Sequence, residues 1–460
     1  MEGSEDLKAL CIFEDDRFSN FFPLTLNKPV FDLLIGTQTL MERIRADVEH
    51  QSVCMICRPY LTDTIKEIYE GGEEEGDPVV NGPSGAETLF VNGRLLAYAD
   101  ELSNLASELG LNEILKKNGI PVIARLDTEQ SAAFVEYLLS ALSNEKVEKV
   151  IIGMKNATGE NCLDELGSGY HEGLESWAGS NGVKVRDTNV KLLSFYWQLI
   201  VENGPCIEDD FSKYPLRGAA PESALYRGVD LINEEDILIG ESVEVRSGTV
   251  LDASSGPIII ADGAVIEPNA IIYGPCYIGK LTIIRGGAKI GKGTSIGEQC
   301  RIGGEVGESV IAGYSNKQHE GFLGHSYIGS WVNIGAGTAN SDLKNNYGKI
   351  KAWCAGAIRN TGRRFFGLVC GDHSKIAINT RINTGSVIGF NANVFYTGYP
   401  PKFVPSFTWK IEPEFEVYEL DKALETAGIM MDRRDVELTE AGSELFRVLF
   451  RFSRLAGHNL

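Results

Sequence analysis

The chain has 460 residues, too many for one ordinary core, and its 43% hydrophobic and 23% charged residues are typical of soluble folded proteins. Its formal net charge is −21, so the overall field repels phosphate and excludes a general role in binding DNA, RNA or anionic membranes. The first residues lack the basic and apolar regions of a signal peptide and no apolar run reaches 18 residues, so we expect a cytoplasmic protein without membrane insertion.

Residues 1–205 alternate short apolar runs with amphipathic stretches, which predicts an α/β domain with a mainly parallel, Rossmann-like sheet. The apolar runs are Ala9–Phe13, Val53–Cys57, Thr88–Val91, Ile120–Arg125 and Lys149–Met154. Cys54 and Cys57 form a CxxC motif in the second run, and we interpret them as core residues because no second pair accompanies them. Residues 206–236, rich in turns, aromatics and acids, are predicted to be a linker.

Over residues 237–399 aliphatic residues recur every six positions, a period that neither an α-helix nor an alternating strand produces. The longest unbroken register comprises Ile260, Ile266, Ile272, Ile278, Ile284, Ile290, Ile296 and Ile302. Hexapeptide repeats of this kind build a three-sided, left-handed parallel β-helix around a continuous aliphatic column. Residues 400–460 leave the repeat and are predicted to form a helical tail that packs on the solenoid or on a neighbouring subunit.

The six-residue register breaks twice, between Ile302 and Ile328 and between Ile334 and Cys370. We expect loops expelled from the coil at both breaks, because such loops carry function more often than the coils do. Residues 344–375, around the second break, contain seven Lys or Arg and a single acid. In a chain this acidic, the reversal of sign predicts a local anion-binding site.

Three of the six histidines, His319, His325 and His373, lie in the same part of the chain, and a neutral imidazole is the usual general base for acyl transfer to an amine. Residues His319–Thr338 (HEGFLGHSYIGSWVNIGAGT) resemble, without a gap over twenty residues, the active-site coil of the bifunctional UDP-N-acetylglucosamine pyrophosphorylase/glucosamine-1-phosphate N-acetyltransferase family. The resemblance implies that His319 is the catalytic base and that acetyl-CoA is the acyl donor.

The same resemblance implies a sugar-contacting role for Asn333 and a phosphate-binding role for Arg285, the first residue of an RGGA motif. The chain departs from the family pattern at three positions. Gly303 stands where the family has a sugar-binding lysine, Phe322 replaces a tyrosine, and Asp342 stands near an expected asparagine.

Three lysines are candidates to replace the lysine missing at position 303: Lys317, Lys344 and Lys349. Their spacing does not choose among them, and we take Lys344 and Lys349 as predicted substrate-binding residues. Solenoid acyltransferases of this resemblance are trimers with sites between subunits, so the resemblance also implies a homotrimer.

For the N-terminal domain the resemblance implies nucleotidyl transfer from a nucleoside triphosphate, supported by Mg²⁺. A triphosphate site needs a glycine-rich loop after the first strand, whereas residues 14–17 of this chain read Glu-Asp-Asp-Arg. Residues Pro23–Pro29 (PLTLNKP) resemble the stretch that follows such loops, which makes Arg17 and Lys28 the candidate phosphate cations. Asn92 occupies the position where the family tends to place a metal-binding aspartate, so it is the candidate metal ligand.

The leading hypothesis is N-acetylation of glucosamine-1-phosphate coupled to UTP-dependent formation of UDP-N-acetylglucosamine, a step in nucleotide-sugar synthesis. One alternative is an acyltransferase or trimeric scaffold whose N-terminal domain is inactive and regulatory. Another is a solenoid carbonic anhydrase that binds Zn²⁺ through His319, His325 and His373, although their spacings of 6 and 48 residues do not match that family. A non-enzymatic scaffold is the third.

Overall fold

The structure, a computed structural model, describes residues 9–69, 78–156, 173–213, 218–220, 222–411, 415–457 and 460. An α/β domain is followed by a three-faced parallel β-helix and by a tail that ends in two helices, which confirms the predicted fold class. Within the described ranges, no helix is both long enough and apolar enough to cross a bilayer.

The N-terminal domain is built on one mixed sheet. The strands of the domain are β1 (Ala9–Phe13), β2 (Leu34–Ile35), β3 (Gln38–Thr39), β4 (Ser52–Ile56), β5 (Val79–Val80), β6 (Thr88–Asn92), β7 (Glu113–Lys117), β8 (Ile120–Leu126) and β9 (Lys184–Asp187). Strands β2 and β3 form a separate small hairpin, and the other seven form the sheet. The sheet order is β5-β4-β1-β6-β8-β7-β9. Only β8 runs antiparallel to its neighbours, so the sheet is mainly parallel, as predicted.

Seven helices are described in this domain: α1 (Leu40–Ala46), α2 (Thr62–Tyr69), α3 (Glu101–Glu108), α4 (Thr128–Ala141), α5 (Asn144–Asn156), α6 (Leu174–Ser180) and α7 (Trp197–Lys213). Short 3-10 helices span Asp16–Phe21, Val30–Asp32 and Pro59–Leu61. The apolar run Lys149–Met154 lies within α5 and is not a strand. Its buried residues continue a helical spacing of three and four from Val147 through Ile151 to Met154, which the short run alone does not reveal.

The central strand β1 is buried at every residue, because the sheet is covered on both sides. Cys54 and Cys57 are buried free thiols at and just after β4, in agreement with their interpretation as core residues. Burial raises the pKa of the Cys57 thiol, so it is held in its neutral form.

The β-helix has three faces. Face 1 contains Gly218–Ala219, Ile237–Ile239, Ile258–Ile260, Cys276–Ile278, Thr294–Ile296, Val310–Ile311, Tyr327–Ile328, Leu368–Cys370, Ser386–Ile388 and Phe403–Val404. Face 2 contains Ala224–Leu225, Glu244–Val245, Val265–Ile266, Ile283–Ile284, Arg301–Ile302, Asn316–Lys317, Asn333–Ile334, Lys375–Ile376 and Asn393–Val394. Face 3 contains Asp230–Ile232, Val250–Asp252, Ile271–Tyr273, Lys289–Ile290, Glu305–Gly307 and Phe322–Gly324. A separate strand pair, Ala339–Asn340 and Arg381–Ile382, follows the last of these.

The two predicted breaks in the register have different structures. The expectation of an expelled loop between Ile302 and Ile328 is wrong, because this segment forms strands on all three faces and its coil is only shortened at the corners. At the second break the chain does leave the coil, and residues 341–367 include an antiparallel hairpin formed by Lys351–Cys354 and Ala357–Asn360.

The predicted linker, residues 206–236, is mostly regular structure. Helix α7 runs through position 205 and ends at Lys213. The strands from Gly218 to Ile232 pair in register with the next coil, and a 3-10 helix spans Glu234–Asp236. The turn-rich part of this segment thus forms the first coil of the β-helix rather than a linker, because the corners of a coil require turn residues.

Face 1 lies against the N-terminal domain. The Ser295 hydroxyl donates to the Gly36 carbonyl at 2.6 Å, and the Tyr327 hydroxyl donates to the Leu34 carbonyl at 3.1 Å. The tail has an antiparallel strand pair, Thr408–Lys410 with Glu416–Val417, and helices α8 (Leu420–Asp432) and α9 (Glu440–Leu455). Apolar residues of α9 join the core that the N-terminal domain shares with face 1, so both domains and the tail form one packed unit.

Candidate functional site

His319 lies at the corner between face 2 and face 3, immediately after the strand Asn316–Lys317, and its side chain is exposed. In the same strand Lys317 points into the aliphatic column, at the level that Ile302 occupies one coil earlier. The Lys317 ammonium donates to the carbonyl oxygens of Gly303 at 2.7 Å and of His319 at 2.9 Å. Burial lowers the pKa of Lys317 to about 8, although Glu320 and Glu305 oppose this effect.

The glycine pair at positions 303 and 304 makes room for this ammonium group. Gly304 has φ +70°, and a Cβ atom there would lie 2.7 Å from the Lys317 nitrogen. Of the three lysines proposed to replace the one missing at position 303, Lys317 is therefore the one whose charge lies directly beneath that corner. Lys344 instead donates to the Lys349 carbonyl at 2.8 Å on the expelled loop.

A cavity of about 680 Å³ lies between face 2 and the tail. Arg285 and Asn333 line this cavity, which we call the tail cavity, and so does Gln318, the neighbour of His319. The Arg285 guanidinium pairs with Glu267 at 2.8 Å and is about half exposed. The structure thus brings two of the predicted acyl-transfer residues, Arg285 and Asn333, to one cavity. His319 is one residue away from its lining, and Lys344 and Lys349 do not line it.

Sequence reasoning missed four further cations that line the tail cavity: Arg301, Lys375, Arg433 and Arg434. Burial lowers the pKa of Lys375 to about 7. Burial also lowers the pKa of Arg301, and the neighbouring charges of Arg434 and Arg285 lower it further. Arg301 and Lys375 face outward from face 2 strands, and the six-residue register could have predicted this orientation. The two tail arginines lie outside the repeat, so no sequence pattern predicts their position.

The three histidines of the zinc alternative lie in three different environments. His325 is held between Glu308 and Asp342, each 2.8 Å from one ring nitrogen, and stacks on Phe365. Burial alone would lower the pKa of His325, but hydrogen bonds to Asp342 and Glu308 raise it to about 9. His373 is buried against aromatic rings, and this burial lowers its pKa well below the usual value. Among the residues described here, no three His, Cys, Asp or Glu side chains cluster in a way that could hold a metal ion.

In the N-terminal domain the loop after β1 is filled by buried ion pairs. The Glu14 carboxylate pairs with the Arg58 guanidinium at 3.0 Å, and both side chains are fully buried. The Asp15 carboxylate pairs with Arg94, whose Nε donates to it at 3.0 Å. Burial opposes ionisation of Asp15, but Arg94 holds its pKa below the usual value. Carboxylates therefore occupy the place where a triphosphate would need open backbone N–H groups.

The three residues predicted for the nucleotide site do not converge on a common ligand position. The Arg17 backbone N–H donates to Asp15 at 2.9 Å, and its guanidinium lies 3.9 Å from the Asp16 carboxylate. Lys28 forms an ion pair with Asp372 of the β-helix at 2.7 Å. The Asn92 amide donates to Asp15 at 2.7 Å and to the Pro121 carbonyl at 3.0 Å, and its oxygen accepts from the Arg94 backbone. The structure does not support Asn92 as a metal ligand.

Comparison with known proteins identifies both parts of the chain. Residues 10–215 match the model of the sugar nucleotidyl transferase family, and residues 257–292 match the bacterial transferase hexapeptide model of six repeats. The chain thus combines a segment similar to the sugar nucleotidyl transferase family with hexapeptide repeats. The resemblance inferred from the sequence is confirmed to this extent.

The curated relatives are bifunctional proteins that match only in part. The bifunctional protein GlmU of Wigglesworthia glossinidia brevipalpis is 28% identical over 40% of this chain and 37% of its own length. The bifunctional sugar-1-phosphate nucleotidylyltransferase/acetyltransferase of Sulfurisphaera tokodaii is 30% identical over 46% of this chain and 48% of its own. The chain thus spans less than half the length of these relatives. A solved acetyltransferase domain of PglB from Neisseria gonorrhoeae covers 35% of this chain and 64% of its own at 18% identity, with a TM-score of 0.19 that supports no argument.

Proposed function

We propose that the protein is a transferase that moves the acetyl group of acetyl-CoA to the amine of a sugar phosphate, with glucosamine-1-phosphate as the first candidate. The observation that carries the proposal is that Gln318, the neighbour of His319, lines the tail cavity together with Arg285, Asn333 and four further cations. The names of both relatives given above describe bifunctional proteins, and one of them specifies nucleotidylyl and acetyl transfer.

The reaction divides between a base and an anion site. His319 accepts a proton from the sugar ammonium as the sugar nitrogen attacks the thioester carbonyl, forming a C–N bond and an oxyanion. Collapse of this tetrahedral intermediate breaks the C–S bond, and the imidazolium returns its proton to the departing CoA thiolate. The nitrogen releases one further proton to solvent, which leaves the neutral amide. Arg285 and Asn333 orient the sugar phosphate from the tail cavity. Lys317 holds the two carbonyls of the corner and so fixes the backbone that carries the base.

Nucleotidyl transfer is the second candidate activity, because the matched family model covers residues 10–215. In this reaction the sugar phosphate would attack UTP to give UDP-N-acetylglucosamine and pyrophosphate. The buried pairs Glu14–Arg58 and Asp15–Arg94 argue against a triphosphate in the loop after β1. The described residues offer no cluster of metal ligands for Mg²⁺ either, so we assign no step to a metal ion.

One incubation tests both activities. The purified protein is mixed with glucosamine-1-phosphate, acetyl-CoA, UTP and Mg²⁺, and the products are identified by mass spectrometry. N-acetylglucosamine-1-phosphate with free CoA is the expected result, and a UDP-sugar with pyrophosphate would establish the second activity. Absence of acetylation with glucosamine-1-phosphate and with other amino-sugar phosphates would overturn the proposal. Light scattering tests the homotrimer that we propose for the assembly.

A further inference from the structure

We propose that the tail cavity is a binding site for a phosphorylated ligand in which Arg301, Arg433 and Arg434 supply the charge, so that helix α8 and the residues after it form one wall of the site. This inference rests on the proposed function only for the choice between a sugar phosphate and the phosphates of CoA. The anion site itself is argued from charge, burial and unpaired donors.

The charge of the tail cavity is opposite to that of the chain. Among the described residues, five cations and no acidic side chain line it, in a protein of net charge −21. Only Arg285 has an ion-pair partner, Glu267, among the described residues. The mutual repulsion of Arg285, Arg301 and Arg434 destabilises the empty cavity, and a bound phosphate would relieve it.

Two buried donors in the tail cavity have no partner among the described residues. The side chain of Asn393 is 3% exposed, and its amide nitrogen is one of these donors. The Nε of Arg434 is buried and likewise has no partner, while another guanidinium nitrogen donates to Asn316 at 3.0 Å and fixes its orientation. Burying a donor without a partner destabilises the folded protein, so such groups in native proteins usually have a ligand or water.

The size and walls of the tail cavity point to an organic phosphate. Its volume of about 680 Å³ lies within the usual range of small-molecule sites and far exceeds the space that one inorganic ion needs. Tyr314 and Trp331, stacked with ring centroids 4.3 Å apart, form one wall, and Trp409 and Tyr418 of the tail contribute further rings. Such rings can pack against a sugar or a nucleotide base while the cations hold phosphate.

The arginines also explain how this chain manages without a lysine at position 303. Arg301 begins the face 2 strand Arg301–Ile302 and lies two residues before Gly303, so it faces outward to the same side. A side chain at position 303 itself would meet the Gln318 carbonyl and the Arg285 Cβ. A lysine at position 303 would crowd the corner, so the positive charge comes instead from Arg301, the preceding outward position, and from the tail arginines.

Calorimetric titration of the full-length protein tests the site with inorganic pyrophosphate, glucosamine-1-phosphate and CoA as separate probes, and with glucosamine as the unphosphorylated control. We expect the phosphorylated probes to bind. Arg434→Gln and Arg301→Gln should each weaken this binding about 10- to 100-fold, the loss expected when one charged hydrogen bond is removed. Arg447→Gln is the matched control, because this tail arginine on α9 pairs with Glu440 and Glu444 at the surface.

The outcomes separate this inference from the proposed function. Equal binding of every phosphorylated probe by wild type and both cavity variants, or no binding by folded wild type, overturns the anion site. If the arginines are required for binding but wild type acetylates no amino-sugar phosphate, the anion site stands and the proposed function fails. Loss of glucosamine-1-phosphate binding with CoA binding retained identifies the sugar phosphate as the ligand, and the reverse identifies CoA. Thermal unfolding shows whether either variant is folded, and the second variant serves if the first is not.

Discussion

At the scale of single residues, Lys317 is the least expected feature of the β-helix. Its aliphatic stem fills the interior column like the isoleucines of other coils, while its ammonium reaches the carbonyls of the corner that carries His319. A buried charge rarely adds stability, because desolvation offsets its attractive interactions. We therefore expect that Lys317 serves the activity of the corner rather than the stability of the fold.

Replacing this lysine by methionine tests that expectation. Lys317→Met keeps an unbranched stem and removes the charge, so stability at pH 7 should stay unchanged or rise by about 1–2 kcal/mol. Because the pKa of Lys317 falls to about 8 in the folded protein, the wild type should gain stability as pH rises from about 8 towards 10.5, and the advantage of the variant should shrink. Urea unfolding measures this stability.

The same variant tests the positioning role of Lys317. The acetylation rate of Lys317→Met should fall while its KM for acetyl-CoA changes little. An unchanged rate would contradict the positioning role, and Ile302→Val controls for column packing.

The second residue-scale prediction concerns His319 as the base. His319→Ala should lower the acetylation rate by about 10²- to 10⁴-fold, which corresponds to about 3–5 kcal/mol of barrier. The KM for acetyl-CoA should change little, because the imidazole acts on the amine. Steady-state kinetics measures both constants, and Arg447→Gln, at a surface position that does not line the tail cavity, is the control. Retention of the wild-type rate in His319→Ala, with loss in a variant of His325 or His373, would assign the base to another histidine.

At the scale of elements, the corners of the coil determine which polar residues come together. His325 lies at the corner after a face 3 strand with φ +47°, a left-handed conformation that histidine, asparagine and aspartate adopt more often than other non-glycine residues. Its imidazole joins Glu308 of the previous coil to Asp342 at the start of the expelled loop. This cluster therefore fastens the loop to the β-helix.

The cluster predicts a pH dependence of stability. The pKa of His325 is raised from 6.5 to about 9 in the folded protein, so its contribution is fully present below pH 6.5 and is lost as pH rises through 9. The contribution is at most about 3 kcal/mol. Unfolding free energies measured between pH 6 and pH 10 should show wild type and His325→Gln converging at the alkaline end. Parallel pH profiles of the two proteins would show that the ion pairs do not form in solution.

At the scale of the whole molecule, the two domains share one core and an ion pair. Lys28 of the N-terminal domain reaches Asp372, whose carboxylate is nearly fully buried and also accepts from Asn27 and from the Ser330 backbone. The sequence suggested a nucleotide-binding role for Lys28, whereas the fold gives it a partner 344 residues away in the β-helix. We expect the chain to unfold in one cooperative step.

Removing the lysine tests this coupling. Lys28→Met leaves a buried carboxylate unpaired, so we expect a loss of about 3 kcal/mol of unfolding free energy across the whole chain. Calorimetry should show a single transition at a lower Tm, with the acetylation rate of the folded protein unchanged. Asp372→Asn combined with Lys28→Met should cost less than the sum of the two single changes. Two separate transitions, or additive costs, would indicate that the domains are stabilised independently.

The sequence by itself determined the β-helix and the α/β class of the first domain. These features are local or strictly periodic, because an aliphatic residue every six positions can be buried only when each coil stacks on the one before it. A twenty-residue segment likewise stays contiguous in the fold, so His319 and Asn333 could be related without knowing the tertiary structure.

Only the tertiary structure decided which distant groups share a site. The tail cavity joins Arg301 of face 2 to Arg434 of the tail, and no local pattern links positions so far apart. The apolar run Lys149–Met154 lies in helix α5, because the helical spacing of its buried residues begins before the run itself. The roles predicted for Lys28 and Asn92 rested on their neighbours in the chain. Buried charges and amides pair instead with the groups that tertiary packing places beside them. Periodicity is a property of the chain, whereas the pairing of buried charges depends on which surfaces of the folded molecule meet.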